Sequence, residues 1–204
     1  MSARLVFATS NAHKVEELEA ILAPAWEGFE AGCVARMSDF DVDSPVEDGV
    51  SFEENSLIKA RALARATGLA AIADDSGITV DVLGGSPGIF SARWAGSHGD
   101  DEANLRLLLD QLSDVPDRHR GAAFVSAAVL VTPDGREFVQ RGEVRGTLTR
   151  TPRGEGGFGY DPIFVPDGFE VTTAQMSPEE KNAISHRGIA FRALIPHIVD
   201  YLRG

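Results

Sequence analysis

The segment IADDSG, residues 72–77, sets Asp74 and Asp75 side by side after an apolar run and just before Ser76. Two like charges at the end of a buried strand are costly to desolvate and repel each other, so something must compensate them. Adjacent carboxylates can hold a hard divalent cation through oxygen ligands and water, and Mg²⁺ suits such a set. One of them can also orient or deprotonate a water molecule. Glu47, in PVEDG, is a candidate third acid. The competing reading is a strand-end turn in which one aspartate serves as a cap.

Three other groupings could act beside these acids. TSNAHK, residues 9–14, separates a short apolar run from a helical pattern. A helix N-terminus presents unpaired N–H groups and the positive end of the dipole, which suits an anion. Thr9, Ser10 and Asn11 add small hydrogen-bonding groups, and Lys14 adds a point charge one turn in; a plain N-cap with a solvated lysine is the simpler alternative. SPEEKNAISHRG, residues 177–188, places Lys181 and Ser185 four apart on one helical face, with His186 and Arg187 at its end. Those cations suit a phosphate or a polar heterocycle, although basic residues also favour a helix C-terminus on dipole grounds alone. GGFGYDP, residues 156–162, carries Phe158 and Tyr160 among glycines, next to Asp161. Such aromatics can stack on a flat ring while the carboxylate accepts its N–H groups; alternatively they anchor the loop to a core.

Two familiar patterns fail on their chemistry. GGSPG, Gly84 to Gly88, matches a nucleophile elbow in letters only, because Pro87 lacks the N–H that an oxyanion hole needs there. GEGGFG, Gly154 to Gly159, matches a dinucleotide fingerprint, but Asp161–Pro162 and an extended PIFV follow where a helix should open.

The elements that must position these residues follow from periodicity. Leu5 to Ala8 reads as a strand, and Val15, Leu18 and Leu22 recur at helical spacing. Ser51 and Glu54 form a capping-box signature for a helix running to about Thr67. LAAIAD and GITVDVL read as strands around the aspartates, and Leu105, Leu108, Leu109 and Leu112 form a helical stripe. AAFVSAAVLV and REFVQRGEVR flank TPDG as a hairpin. Ser177, Pro178 and Glu180 start a further helix, and a last one, with a kink expected at Pro196, follows SHRG. Interspersed strands and helices with a hairpin imply an α/β fold with a mixed sheet.

Composition bounds the partners. The 204 residues are 43% hydrophobic, enough for a sizeable core in one domain, 1–204, with no linker or repeat. A net charge of −12 repels nucleic acid. A single cysteine, no leader and no apolar run long enough to span a bilayer point to a soluble cytoplasmic protein without a membrane partner.

Five segments in series, ATSNAHKVEEL, EDGVSFEENSLIKARALA, AIADDSGITVDVLGGSPGIFSARWAG, GGFGYDPIFVP and EKNAISHRGIAF, resemble the inosine triphosphate pyrophosphatase family in order and over almost the whole chain. The resemblance implies Mg²⁺-dependent hydrolysis of deaminated purine nucleoside triphosphates, the ITP, dITP and XTP class, to monophosphate and pyrophosphate. It also implies a long mixed sheet flanked by helices in two lobes, a substrate cleft between the lobes, and a homodimer. By motif, Thr9, Ser10, Asn11, Ala12, His13 and Lys14 would hold phosphates with Lys59. Asp75 would be proton acceptor and metal ligand, supported by Asp74 and by Glu47, a second metal ligand. Ser76 would touch substrate, while Phe158, Gly159, Tyr160, Asp161, Lys181, His186 and Arg187 would form the base pocket. The family often has glycine where this chain has Ser10, and Pro196 is a local departure. An aspartyl-nucleophile phosphatase is disfavoured, since its two aspartates are separated by one residue. A pyrophosphatase of dTTP or UTP and a nucleotide sensor without turnover are the remaining rivals.

Overall fold

The structure, a computed structural model, describes residues 4–9 and 12–204, with the side chains of Ala12 and His13 left outside. In chain order the elements are β1 Leu5–Phe7, α1 Ala12–Leu22, β2 Val34–Arg36, α2 Phe52–Thr67, β3 Ala70–Val80, α3 Asp101–Gln111, β4 Gly121–Val131, β5 Glu137–Leu148, β6 Phe164–Pro166, α4 Pro178–Ala183 and α5 His186–Arg203. The strands form one six-stranded sheet in the order β2-β1-β3-β4-β5-β6. β1 runs parallel to both β2 and β3, whereas β5 and β6 are antiparallel, so the sheet is mixed as expected. Among the described residues no helix is long and apolar enough to cross a membrane.

The chain divides into two compact units, the first comprising Met1–Asp75, Ser126–Gly142 and Ile189–Gly204 and the second Ser76–Val125 and Glu143–Gly188. In the first, the pleat sorts the sheet residues onto two faces. Leu5, Phe7, Ala70 and Ile72 pack with Leu18 and Leu22 of α1 and with Phe191, Leu194 and Ile198 of α5. Val6, Ala71 and Ala73 pack on the other face with Ala60, Leu63 and Ala64 of α2. Each large side chain fully buried in this way contributes about 1.5–3 kcal/mol. α2 begins where Ser51 accepts the Glu54 N–H at 3.1 Å, and it stops at Gly68, whose φ of 69° suits a residue without Cβ. Glu54 departs from the expected box, because its carboxylate accepts the Val50 N–H at 2.7 Å.

In the second unit, Ile78 and Val80 of β3 pack with Leu108 of α3, Leu112 at its C-cap, Leu148 of β5 and Phe164 of β6. Arg120 is 2% exposed, and its guanidinium donates to the carbonyls of Leu112, Leu148 and Thr149 at 2.7, 2.9 and 2.8 Å. This ties the end of α3 to the end of β5, and burial pushes the arginine's pKa down. The GGSPG segment is a turn, closed by the Val80 N–H on the Ser86 carbonyl at 3.0 Å.

Two boundaries differ from the sequence reading. β3 is one strand across Ala70–Val80, so the aspartate pair lies within it and not at a strand end. The basic cluster does not end a helix either. α4 stops at Ala183, and His186 and Arg187 open α5, where the Ser185 hydroxyl accepts the Gly188 N–H at 2.9 Å. A serine cap resets the chain there, and the helix then continues past Pro196.

Candidate active site

β1 has β2 on one side and β3 on the other, both parallel to it, while α1 and α2 cover opposite faces of the sheet. That reversal makes the carboxyl end of β1 a topological switch point, where open α/β sheets take their ligands. Thr9, 8% exposed, lies just beyond it, followed by the start of α1. Ser10 and Asn11 lie outside the described residues, as do the side chains of Ala12 and His13.

Phe7 pairs with Ile72 in the register of β1 and β3, so Asp74 and Asp75 come two and three residues past the last paired position. Consecutive strand residues point to opposite faces, and the partners confirm it here. Asp74, whose side chain is 1% exposed, meets Lys14 of α1 at 3.1 Å. Asp75 meets α2 on the other face: its Oδ2 accepts the Asn55 amide at 3.2 Å, and its Oδ1 lies 3.8 Å from the Lys59 ammonium. Lys59 also donates to Glu47 at 3.0 Å. The repulsion anticipated from the sequence is thus met by a lysine on each face. Burial pushes the Asp75 carboxyl above its ordinary value, with Lys59 and Asn55 pulling it down and Glu47 and Asp74 adding to the rise. Asn55 is a residue the sequence reading missed.

In the second unit, Arg187 reaches the Ser76 hydroxyl at 3.5 Å, and the His186 ring stacks on Phe124 with centroids 5.2 Å apart. A second cluster forms around Asp161, which is 3% exposed. Its carboxylate accepts the Lys181 ammonium at 2.5 Å, the Phe158 N–H at 2.8 Å and the Thr173 hydroxyl at 2.8 Å. Gly157, at φ 74°, passes so close to that carboxylate that a Cβ would overlap it. The Lys181 ammonium also stands 5.1 Å from the centre of the Phe158 ring, and Phe158 is 69% exposed. The Gly159 N–H is held by Asp101 at 2.9 Å.

The aromatics of the loop therefore divide. Phe158 presents an open face, as a stacking platform would. Tyr160 is buried, and its hydroxyl donates to the Ser91 carbonyl at 2.8 Å, so it anchors the loop to the core. The Asp161 carboxylate likewise ties the loop to its surroundings, through the Phe158 N–H within it and through Thr173 and Lys181 outside it.

Fold and site together define an α/β protein with Thr9 at a switch point and acids matched to lysines beside it. The sequence profile described as the Ham1 family matches residues 5–197. A protein of Streptomyces avermitilis named dITP/XTP pyrophosphatase is 59% identical over 98% of both chains. A solved structure of a nucleoside-triphosphatase / dITP/XTP pyrophosphatase from Mycobacterium abscessus is similar at a TM-score of 0.81 and 51% identity, covering 95% of this chain and 98% of that one. A HAM1 protein of Coxiella burnetii is similar at a TM-score of 0.88 and 36% identity, covering 98% of this chain and 100% of the other. The chain belongs to the Ham1 family.

Proposed function

We propose that this protein hydrolyses deaminated purine nucleoside triphosphates, the ITP, dITP and XTP class, to the nucleoside monophosphate and pyrophosphate, and so cleans the nucleotide pool. The observation that carries this reading is the 59% identity, over 98% of both chains, with a relative named dITP/XTP pyrophosphatase. The acids and lysines beside the switch point supply chemistry suited to that reaction.

The carboxylates of Asp75 and Glu47 both converge on the Lys59 ammonium, at 3.8 and 3.0 Å, so both can face one cation. Among the described residues no group of three or more histidine, cysteine, aspartate or glutamate side chains is arranged to hold a metal. Two hard oxygen ligands suit Mg²⁺, which keeps several waters and takes its other ligands from substrate phosphates. Asp75 and Glu47 would hold that ion, with Asp74 in support, and when bound it would neutralise charge on the phosphates. Thr9, Ser10, Asn11, Ala12, His13 and Lys14 bind the phosphates at the start of α1, aided by Lys59. Asp75 accepts the proton of the water that attacks the α-phosphorus, and Ser76 positions the nucleotide. Phe158, carried with Gly159, stacks on the base, with Tyr160 and Asp161 fixing the loop from below. Lys181, His186 and Arg187 face its polar edge. A cationic donor rewards the 6-keto group of hypoxanthine or xanthine and opposes the amino donor of adenine, a mismatch that costs several kcal/mol when buried.

A homodimer in the cytoplasm belongs to the same proposal. Pyrophosphate release from ITP with Mg²⁺, measured beside ATP and GTP, tests the reading. The expected result is stoichiometric IMP and pyrophosphate with ITP far ahead. Orthophosphate as the product, or binding without turnover, contradicts it.

A further inference from the structure

We infer that Asn55 is a positioning residue that fixes the Asp75 carboxylate and the Glu47-bearing loop with a single amide; this rests on the reading of Asp75 as the proton acceptor. Asn55 is 1% exposed on the first turns of α2. Its Oδ1 accepts the Gly49 N–H at 2.9 Å, and its Nδ2 donates to Asp75 Oδ2 at 3.2 Å. The amide cannot be turned over, because a backbone N–H only donates and so must face the oxygen. The NH₂ group is thereby committed to Asp75.

These bonds close a ring of contacts. Asn55 holds one oxygen of Asp75, Lys59 faces the other, Lys59 binds Glu47, and two residues beyond Glu47 the chain returns to Asn55 through Gly49. The loop approaches this closely only with glycine at position 49, where a Cβ would stand 2.7 Å from Glu54 Cβ and 2.8 Å from Asn55 Oδ1. α2 is itself anchored by the Ser51 cap immediately before these positions. Asn55 thus transmits the rigidity of a capped helix to two acids, one on a strand and one on a loop. A carboxylate held within a narrow range of orientations is worth far more as a proton acceptor than a swinging one.

The rival is a buried asparagine that merely closes the helix entry. A double-mutant cycle separates the two: hydrolysis of ITP with Mg²⁺ by Asn55→Ala, in the wild-type and Asp75→Asn backgrounds, with thermal melts alongside. Positioning predicts a kcat lowered about 10- to 100-fold, the range spanned by one hydrogen bond to a charged group, with KM for ITP held. It further predicts a clearly smaller loss in the Asp75→Asn protein, where one of the two acids it fixes is gone and only the Glu47-bearing loop is left to disturb. Unchanged kcat in the wild-type background, or an equal fall in both, overturns the inference. If Asp75→Asn alone keeps full turnover, it is the proton-acceptor reading that fails, and the melts and kinetics of Asp75→Asn distinguish that failure from the first. Should Asn55→Ala not fold, Asn55→Leu, which keeps the side-chain volume and adds no charge while removing the donor to Asp75, enters the same cycle with the same outcomes.

Discussion

Asp75 and Asp161 are both aspartates that meet a lysine, one in each unit, yet their surroundings differ in kind. Asp161, its side chain 5% exposed, accepts from a backbone N–H, a hydroxyl and an ammonium, all from its own neighbourhood. Asp75, at 19%, accepts the Asn55 amide, has Lys59 at the longer distance of 3.8 Å, and is pushed above its ordinary pKa by burial. Donors that satisfy a carboxylate build structure. A carboxylate held in orientation and raised in pKa by burial is one that can take a proton or bind an ion. Residue type and motif membership alone do not separate these cases.

That contrast can be broken from either side. Asp75→Asn should lower ITP turnover about 10²–10⁴-fold while ITP binding persists, and unchanged turnover removes Asp75 from the chemistry. Asp161→Ala should leave the Lys181 ammonium and the Phe158 N–H without their acceptor, and the Thr173 hydroxyl with only the backbone carbonyl of residue 161 at 3.1 Å, costing about 3 kcal/mol in urea denaturation. An undiminished stability would show that Asp161 does not hold the loop. Lys14→Ala should raise KM for ITP about tenfold, as expected for one charge-assisted phosphate contact, and an effect confined to kcat would argue against phosphate binding. Tyr160→Phe should cost about 1 kcal/mol through the lost bond to Ser91 and leave the preference for ITP over ATP unchanged. A changed preference would return Tyr160 to the base pocket.

The pKa of Asp75 offers a finer test with a definite sign. Its value in the folded protein lies above that in the unfolded chain. The folded state therefore takes up this proton first as pH falls, and the group's contribution to stability is greatest at acid pH and declines as pH rises through the folded value. At pH above the folded value the ionised carboxylate costs stability, so there Asp75→Asn should melt no lower than the wild type. A carboxyl titration by NMR in metal-free protein should find a midpoint above 3.8, and one at or below that value contradicts the burial argument.

Much of the fold was legible because apolar spacing reports burial directly. Val15, Leu18 and Leu22 of α1, and the leucine stripe of α3, all turn inward. The continuity of β3 was not legible, since an adjacent acid pair ordinarily ends a buried strand. What lets it continue is Lys14 and Lys59, which arrive from helices on opposite faces and are distant in sequence. Asn55 was missed for the same reason, since in FEENS it resembles any polar residue of a first helical turn. Tyr160 and Phe158 are two residues apart in one glycine-rich loop, and only packing against Ser91 reveals which of them is buried.

The most direct test is hydrolysis of ITP in water enriched in heavy oxygen, with both products weighed by mass spectrometry. Attack at the α-phosphorus predicts one labelled oxygen in IMP and none in pyrophosphate. Label in pyrophosphate, or release of labelled orthophosphate, would contradict the chemistry assigned to Asp75.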